Sequence, residues 1–182
     1  MNAKELTYYC NFVTVGVLLI LVIIYSPTIK IMDTRSHYSE IMVNLNQADT
    51  KNSLRELFDK NMNYTELLNW EKERLTYDAG NIARNEDPLK ILEYGKGRCG
   101  EFTILYVALC LAHGYQTRIV VDVFGDHVWA EVLDGDIWVH VDTEGRINEP
   151  YMYELDWNKK IKLVYAFEEN KIVDVTWKYN VK

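Results

Sequence analysis

One stretch limits what this chain can become: Gly97-Arg98-Cys99-Gly100-Glu101-Phe102 and the apolar run behind it. From Phe102 to Leu109 only Thr103 and Tyr106 carry a side-chain polar atom, and Gly114 stands where a helix would be capped. A helix that is apolar all round has to be covered all round, so the rest of the chain must supply layers on both sides of it. Cys99 falls in the first turn of that helix. Unpaired backbone N–H groups and the helix dipole favour a thiolate there and make the sulfur a better nucleophile. The plain alternative is a small residue filling a core.

The layers can be read from changes of period. Upstream are helical patterns. Leu54, Leu57 and Phe58 share one face; Tyr64 to Leu75 carries Leu67, Leu68 and Leu75 on another. Asp87-Pro88 opens a third helix that Gly95 closes. Asn63-Tyr64-Thr65 is a glycosylation sequon, but a helix start at Asn63 explains it as well and is preferred. After Gly114 the period becomes alternating. Thr117 to Phe124, His127 to Leu133 and Ile137 to Val141 read as strands, with Asp134-Gly135 as a hairpin turn. Leu163 to Phe167 and Ile172 to Trp177 form a last hairpin. Helices first and an antiparallel sheet afterwards predict an α+β fold with the cysteine helix packed on the sheet.

The amino-terminal segment has a different character. Tyr8 to Tyr25 holds no charged residue, is long enough to cross a hydrocarbon core, and has tyrosines at both ends. A cleaved signal peptide competes, but the run is long and no small-x-small cleavage site follows it. The expected organisation is a tail over 1–7, a transmembrane anchor over 8–25, a polar linker over 26–40 and a catalytic domain over 41–182. A single-pass membrane protein with that domain on the outer side follows from this reading, with the membrane as a partner.

Charge and cysteine usage narrow the chemistry. The net charge is −7 with no basic block, which argues against nucleic-acid binding. The 13 tyrosines and 5 tryptophans could face a carbohydrate, although a core needs them equally. Three cysteines, at 10, 99 and 110, make neither a disulfide framework nor a CxxC pair, and Cys99 alone sits in a reactive setting. A thiolate needs a base, and the base an orienting group. Of the four histidines, His37 falls in the linker and His113 at a helix end. His127 begins a strand from which it can project towards Cys99, and Asp142 ends the neighbouring strand within reach of the imidazole. The expected triad is Cys99, His127 and Asp142. A histidine on a strand is more often structural, so the order of the three carries the argument.

These residues lie in a recognisable setting. Gly97-Arg98-Cys99-Gly100-Glu101, Asp126-His127-Val128-Trp129-Ala130-Glu131 and Trp138-Val139-His140-Val141-Asp142 resemble the peptide:N-glycanase branch of the transglutaminase-like superfamily. The likeness continues through Glu149-Pro150-Tyr151-Met152-Tyr153, Trp157 to Lys160, Tyr165 to Phe167 and Val173 to Thr176, and reaches back to Asp87-Pro88. It implies a papain-like core and a cysteine amidase that cuts between an asparagine side chain and the first sugar of an N-linked glycan, leaving aspartate. By motif, Cys99 is the nucleophile, His127 the base then acid, and Asp142 the orienting carboxylate. The resemblance implies substrate contacts at Phe102, Trp129 and Glu144, and an N-glycosylated peptide or protein as partner.

The chain departs from the family in several places. Eukaryotic members carry paired cysteines for zinc and this chain has none, so no metal or other cofactor is expected. Phe102 stands where the family has tryptophan, the Asp142-Thr143-Glu144 stretch is about one residue shorter, and familiar members lack an anchor. A transglutaminase-like peptidase or acyltransferase using the same triad, and an inactive domain that holds glycoproteins at the membrane, are the competing functions.

Overall fold

The computed structural model describes residues 3–80, 84–143 and 145–180; for residues 3–24 it describes the backbone, with side chains only at Val15 and Val22. The chain separates into two units, Met1–Ser36 and His37–Lys182.

Helix α1 covers Ala3–Leu45 and contains Pro27. The stretch 26–40, expected to be a polar linker, is therefore helical. Its described side chains before Ser36 include Lys30, Asp33 and Arg35, and none of them is buried. The expected transmembrane anchor is corrected: among the described residues no helix is long and apolar enough to cross a membrane. The apolar run is the first half of a longer helix whose second half carries charged residues such as Lys30, Asp33, Arg35 and Glu40, and most of the run's side chains lie outside the described residues. The single-pass localisation, the outer-side placement and the membrane as partner fall with the anchor.

The second unit begins within α1, where Ile41, Met42 and Leu45 are buried in the main core. Helices α2 (Ala48–Arg55) and α3 (Tyr64–Lys72) follow. Asn63 caps α3 through a reciprocal pair. Its side chain accepts from the Glu66 N–H at 2.9 Å while Glu66 accepts from the Asn63 N–H at 2.8 Å. Strand β1 (Thr76–Tyr77) pairs in parallel with β2 (Lys96–Gly97) across α4 (Pro88–Tyr94). Asp87 caps α4 by accepting from the Leu89 N–H at 3.0 Å, a contact worth ~1 kcal/mol.

Helix α5 (Cys99–Ala112) is the centre of the unit, with every residue from Glu101 to Cys110 buried. Each large apolar side chain so covered contributes ~1.5–3 kcal/mol. Gly114, at φ 85°, turns the chain out of the helix.

The sheet is six-stranded and antiparallel throughout: β3 (Thr117–Asp122), β4 (Val128–Asp134), β5 (Ile137–Asp142), β6 (Arg146–Ile147), β7 (Val164–Glu168) and β8 (Lys171–Asp174), in the order β6-β5-β4-β3-β7-β8. Strand alternation gives it two covered faces. Ile119, Val121, Val128, Ala130, Val132 and Val141 join the core around α5. Val120 and Trp129 join a second core with Tyr153 of the short helix α6 (Met152–Leu155) and Tyr179 of α7 (Thr176–Tyr179). The expected α+β fold, with the cysteine helix on an antiparallel sheet, is what the described residues form.

Candidate active site

Cys99 is the first residue of α5 and follows a tight turn at Gly97. A Cβ at Gly97 would come within 2.5 Å of the Glu101 Cβ, so only glycine lets the chain pass there. Glu101 is almost wholly buried and accepts from the Arg98 N–H at 3.0 Å and from Arg84 Nη1 at 2.9 Å. It thereby fastens the turn just before the cysteine. Thr103 Oγ1 donates to the Val128 carbonyl at 3.1 Å and ties α5 to the start of β4.

That tie sets the second group. Val121 pairs with Val128, and the Asp122 N–H donates to the His127 carbonyl at 3.1 Å, closing the β3–β4 turn. The turn brings His127 and Asp126 to the end of α5, where Cys99 Sγ lies 3.8 Å from the Asp126 carbonyl oxygen. Lys159 Nζ holds the Asp126 carboxylate at 2.5 Å from the other side. Ala130 pairs with Val141, so one step along the ladder brings Asp142 level with Trp129 and beside His127. His127 Nε2 meets Asp142 Oδ2 at 2.7 Å. This leaves the other ring nitrogen, Nδ1, for the sulfur. Cys99, His127 and Asp142 are thus brought together from the start of α5, the β3–β4 turn and the end of β5.

Their electrostatics agree with the geometry. Burial pushes the Cys99 thiol up, but the hydrogen bond and charge of His127, with the Val128 and Gly100 N–H groups, outweigh it and hold the thiol below its ordinary value. Burial disfavours the His127 cation, yet hydrogen bonds to Asp142 and Cys99 and the charges of both raise it to about 9. The arrangement favours a thiolate–imidazolium pair across the neutral range.

The other expected residues divide. Phe102 lines a cleft of about 280 Å³ with Lys72, Leu75, Tyr77, Cys99 and Thr143. Trp129 is fully buried and stacks under His127 at 5.8 Å between ring centroids, so it backs the imidazole and cannot reach a substrate. The reason is strand alternation, which turns Trp129 into the second core. Glu144 lies outside the described residues. Of the remaining histidines, His37 pairs with Glu86 at 3.7 Å, and His113 Nδ1 bonds the Leu109 carbonyl at 2.9 Å.

Two neighbours of His127 and Asp142 lie in stretches that carry the family resemblance, though the sequence assigns them no role. Tyr153 donates to Asp142 Oδ2 at 2.9 Å, and Trp157 meets the His127 ring edge-on at 4.9 Å. Both come from the segment between the sheet's fourth and fifth strands in the chain, β6 and β7.

The fold and this thiol–imidazole–carboxylate arrangement define a class. The chain belongs to the Transglutaminase-like superfamily, whose family profile matches residues 50–143. Within it, the chain is similar to proteins named Peptide-N(4)-(N-acetyl-beta-glucosaminyl)asparagine amidase. It is 41% identical over 102 residues to that of Arabidopsis thaliana, covering 54% of this chain and 14% of the plant protein. It is 41% identical over 107 residues to that of Homo sapiens, covering 57% of this chain and 16% of the human protein. The Saccharomyces cerevisiae protein is also 41% identical over 107 residues, covering 56% of this chain and 29% of the yeast protein. The chain thus matches less than a third of the length of these relatives. Among solved structures, Rad4-Rad23 bound to a 6-4 photoproduct UV lesion superposes with TM-score 0.65 at 12% identity, covering 86% of this chain and 48% of that one. At that identity the likeness concerns the fold.

Proposed function

We propose that this protein is a cysteine amidase of the peptide:N-glycanase type, hydrolysing the amide between an asparagine side chain and the first sugar of an N-linked glycan. The observation that carries the reading is the His127–Asp142 hydrogen bond set beside Cys99 at the start of α5, in a chain 41% identical over 107 residues to an amidase of that name.

The Cys99 thiolate attacks the side-chain carbonyl carbon of the glycosylated asparagine, and the carbonyl oxygen becomes anionic. Backbone N–H groups at the start of α5 are suited to stabilise it. His127 gives its proton to the amide nitrogen, the carbon–nitrogen bond breaks, and the glycan leaves as a glycosylamine. His127, now neutral, takes a proton from water, which attacks the thioester and releases aspartate and the thiol. Asp142 fixes the tautomer and steadies the imidazolium. Tyr77 and Phe102, with ring centroids 6.4 Å apart beside Cys99, supply an apolar wall for a sugar face. The substrate is accordingly an N-glycosylated peptide or protein.

The test is incubation with a defined N-glycopeptide followed by mass spectrometry. Conversion of asparagine to aspartate with release of the intact glycan is expected. Cleavage of the peptide backbone, or cross-linking of the peptide to lysine, would move the protein to a peptidase or acyltransferase.

A further inference from the structure

Behind the triad lies a second hydrogen-bonded series that the proposed chemistry does not use. Tyr153 Oη donates its single proton to Asp142 Oδ2 at 2.9 Å and meets His140 Nε2 at 2.7 Å. Because that proton is committed to the carboxylate, the His140 contact requires a proton on Nε2, donated to the tyrosine oxygen. At the far side of the ring, Nδ1 accepts from the Glu149 N–H at 3.3 Å, so Nδ1 carries no proton. His140 and Tyr153 are both fully buried, and burial lowers the histidine to about 4, which keeps it neutral. All of these observations assign the same single tautomer.

We infer that His140 and Tyr153 are positioning residues for the thiol centre: neutral His140 holds the Tyr153 hydroxyl as a donor to Asp142, which keeps that carboxylate ionised and aimed at His127. The inference rests on the reading of Cys99, His127 and Asp142 as a hydrolytic triad. His140 and Asp142 are two apart on β5 and share the face covered by the second core, where α6 presents Tyr153. The charged groups around His140 are Asp142, Glu131, Lys178 and His127, and those acting on His127 include Asp142 and Cys99. Tyr179 packs edge-on against the His140 ring at 5.8 Å and donates to Glu131 at 2.7 Å, so it takes no part in the series. A donor withdrawn from a buried carboxylate makes that carboxylate easier to protonate. It also frees the carboxylate to turn away from His127.

The experiment combines Tyr153→Phe, His140→Leu, His140→Gln and the double variant Tyr153→Phe/His140→Leu in the full chain. Tyr153→Phe and His140→Leu should each lower kcat by on the order of ten- to a hundredfold, with KM within about twofold. His140→Gln, which keeps a donor toward Tyr153, should recover most of the loss. The double variant should be no slower than Tyr153→Phe alone, because His140 acts through the hydroxyl already removed. Alkylation of Cys99 by iodoacetamide, followed by site-resolved mass spectrometry, gives a readout that needs no glycan. Its acid limb should move to higher pH in Tyr153→Phe and His140→Leu and stay in place in His140→Gln. Additive losses in the double variant, or an unmoved acid limb, would overturn the inference and leave the two residues as packing. Wild-type protein that releases no glycan yet shows the expected alkylation pattern would sink the glycanase reading and leave the inference standing.

Discussion

Replacing Asp142 by Asn tests the centre most sharply. Asp142 lies 2.7 Å from His127 and is fully buried, so its charge acts with little screening. The rise of His127 from the ordinary 6.5 to about 9 corresponds to roughly 3 kcal/mol in favour of the imidazolium, at ~1.36 kcal/mol per pKa unit. Burial, the largest influence, opposes that rise, and Asp142 contributes both a hydrogen bond and a charge to it. Without the carboxylate, burial is opposed by Cys99 alone, and His127 should return to 6.5 or below. The alkaline limb of kcat/KM, set in the wild type by loss of the imidazolium proton near pH 9, should then fall by about two and a half pH units or more. The rate should drop by roughly 10²–10⁴, because an amide facing the ring also permits the wrong tautomer. Glycopeptide turnover followed by mass spectrometry from about pH 5 to pH 10 measures both effects. An alkaline limb that stays near the wild-type position, or a loss confined to KM, would refute the reasoning.

Other expectations are more direct. Cys99→Ala should abolish turnover with the circular dichroism spectrum unchanged, whereas Cys110→Ala, at a buried thiol on α5, should cost only about 1 kcal/mol in urea denaturation and leave turnover intact. Glu71 is fully buried with no side-chain partner for its carboxylate among the described residues, and burial, opposed only by the nearby Tyr106 backbone, pushes it well above its ordinary value. A folded-state value above the unfolded one gives stability that is present at acid pH and lost as pH rises through the folded value. Glu71→Gln should therefore raise Tm at pH 8 by the equivalent of about 1–3 kcal/mol and change it little at pH 4; an equal shift at both would show the acid is already neutral or already paired. Because the sequence offers no paired cysteines, EDTA should leave both Tm and glycopeptide turnover unchanged, and a joint loss of zinc and activity on chelation would contradict this.

What neighbouring residues decide among themselves was legible before any coordinates. Asp87-Pro88 and Gly95 bound α4, Asn63 caps α3, Gly114 ends α5, and β3, β4, β5 and β7 fall within a residue or two of their alternating runs, because caps, φ restrictions and side-chain alternation act within a turn or a pleat; the last run, Ile172 to Trp177, is a strand only to Asp174 and turns into α7 at Thr176. Cys99, His127 and Asp142, the residues of the candidate site, could be named from the sequence for a related reason. Cys99 has its helix N-terminus as local context, and Asp142 ends the strand that follows the one His127 opens.

What the tertiary structure decided depends on partners far apart in the chain. The apolar run at the amino terminus looks the same whether or not its helix stops at Tyr25, and only the continuous α1 shows that it does not. Trp129 reads as a cleft aromatic until the second core covers that face of β4. His140 reads as an ordinary strand residue until α6 brings Tyr153 between it and Asp142. Register and the covering of each sheet face are set by contacts between residues 10 or more positions apart, such as Tyr153 with Asp142 and His127 with Asp142. A sequence states which side chains a strand presents on each face, and only packing states what meets them there.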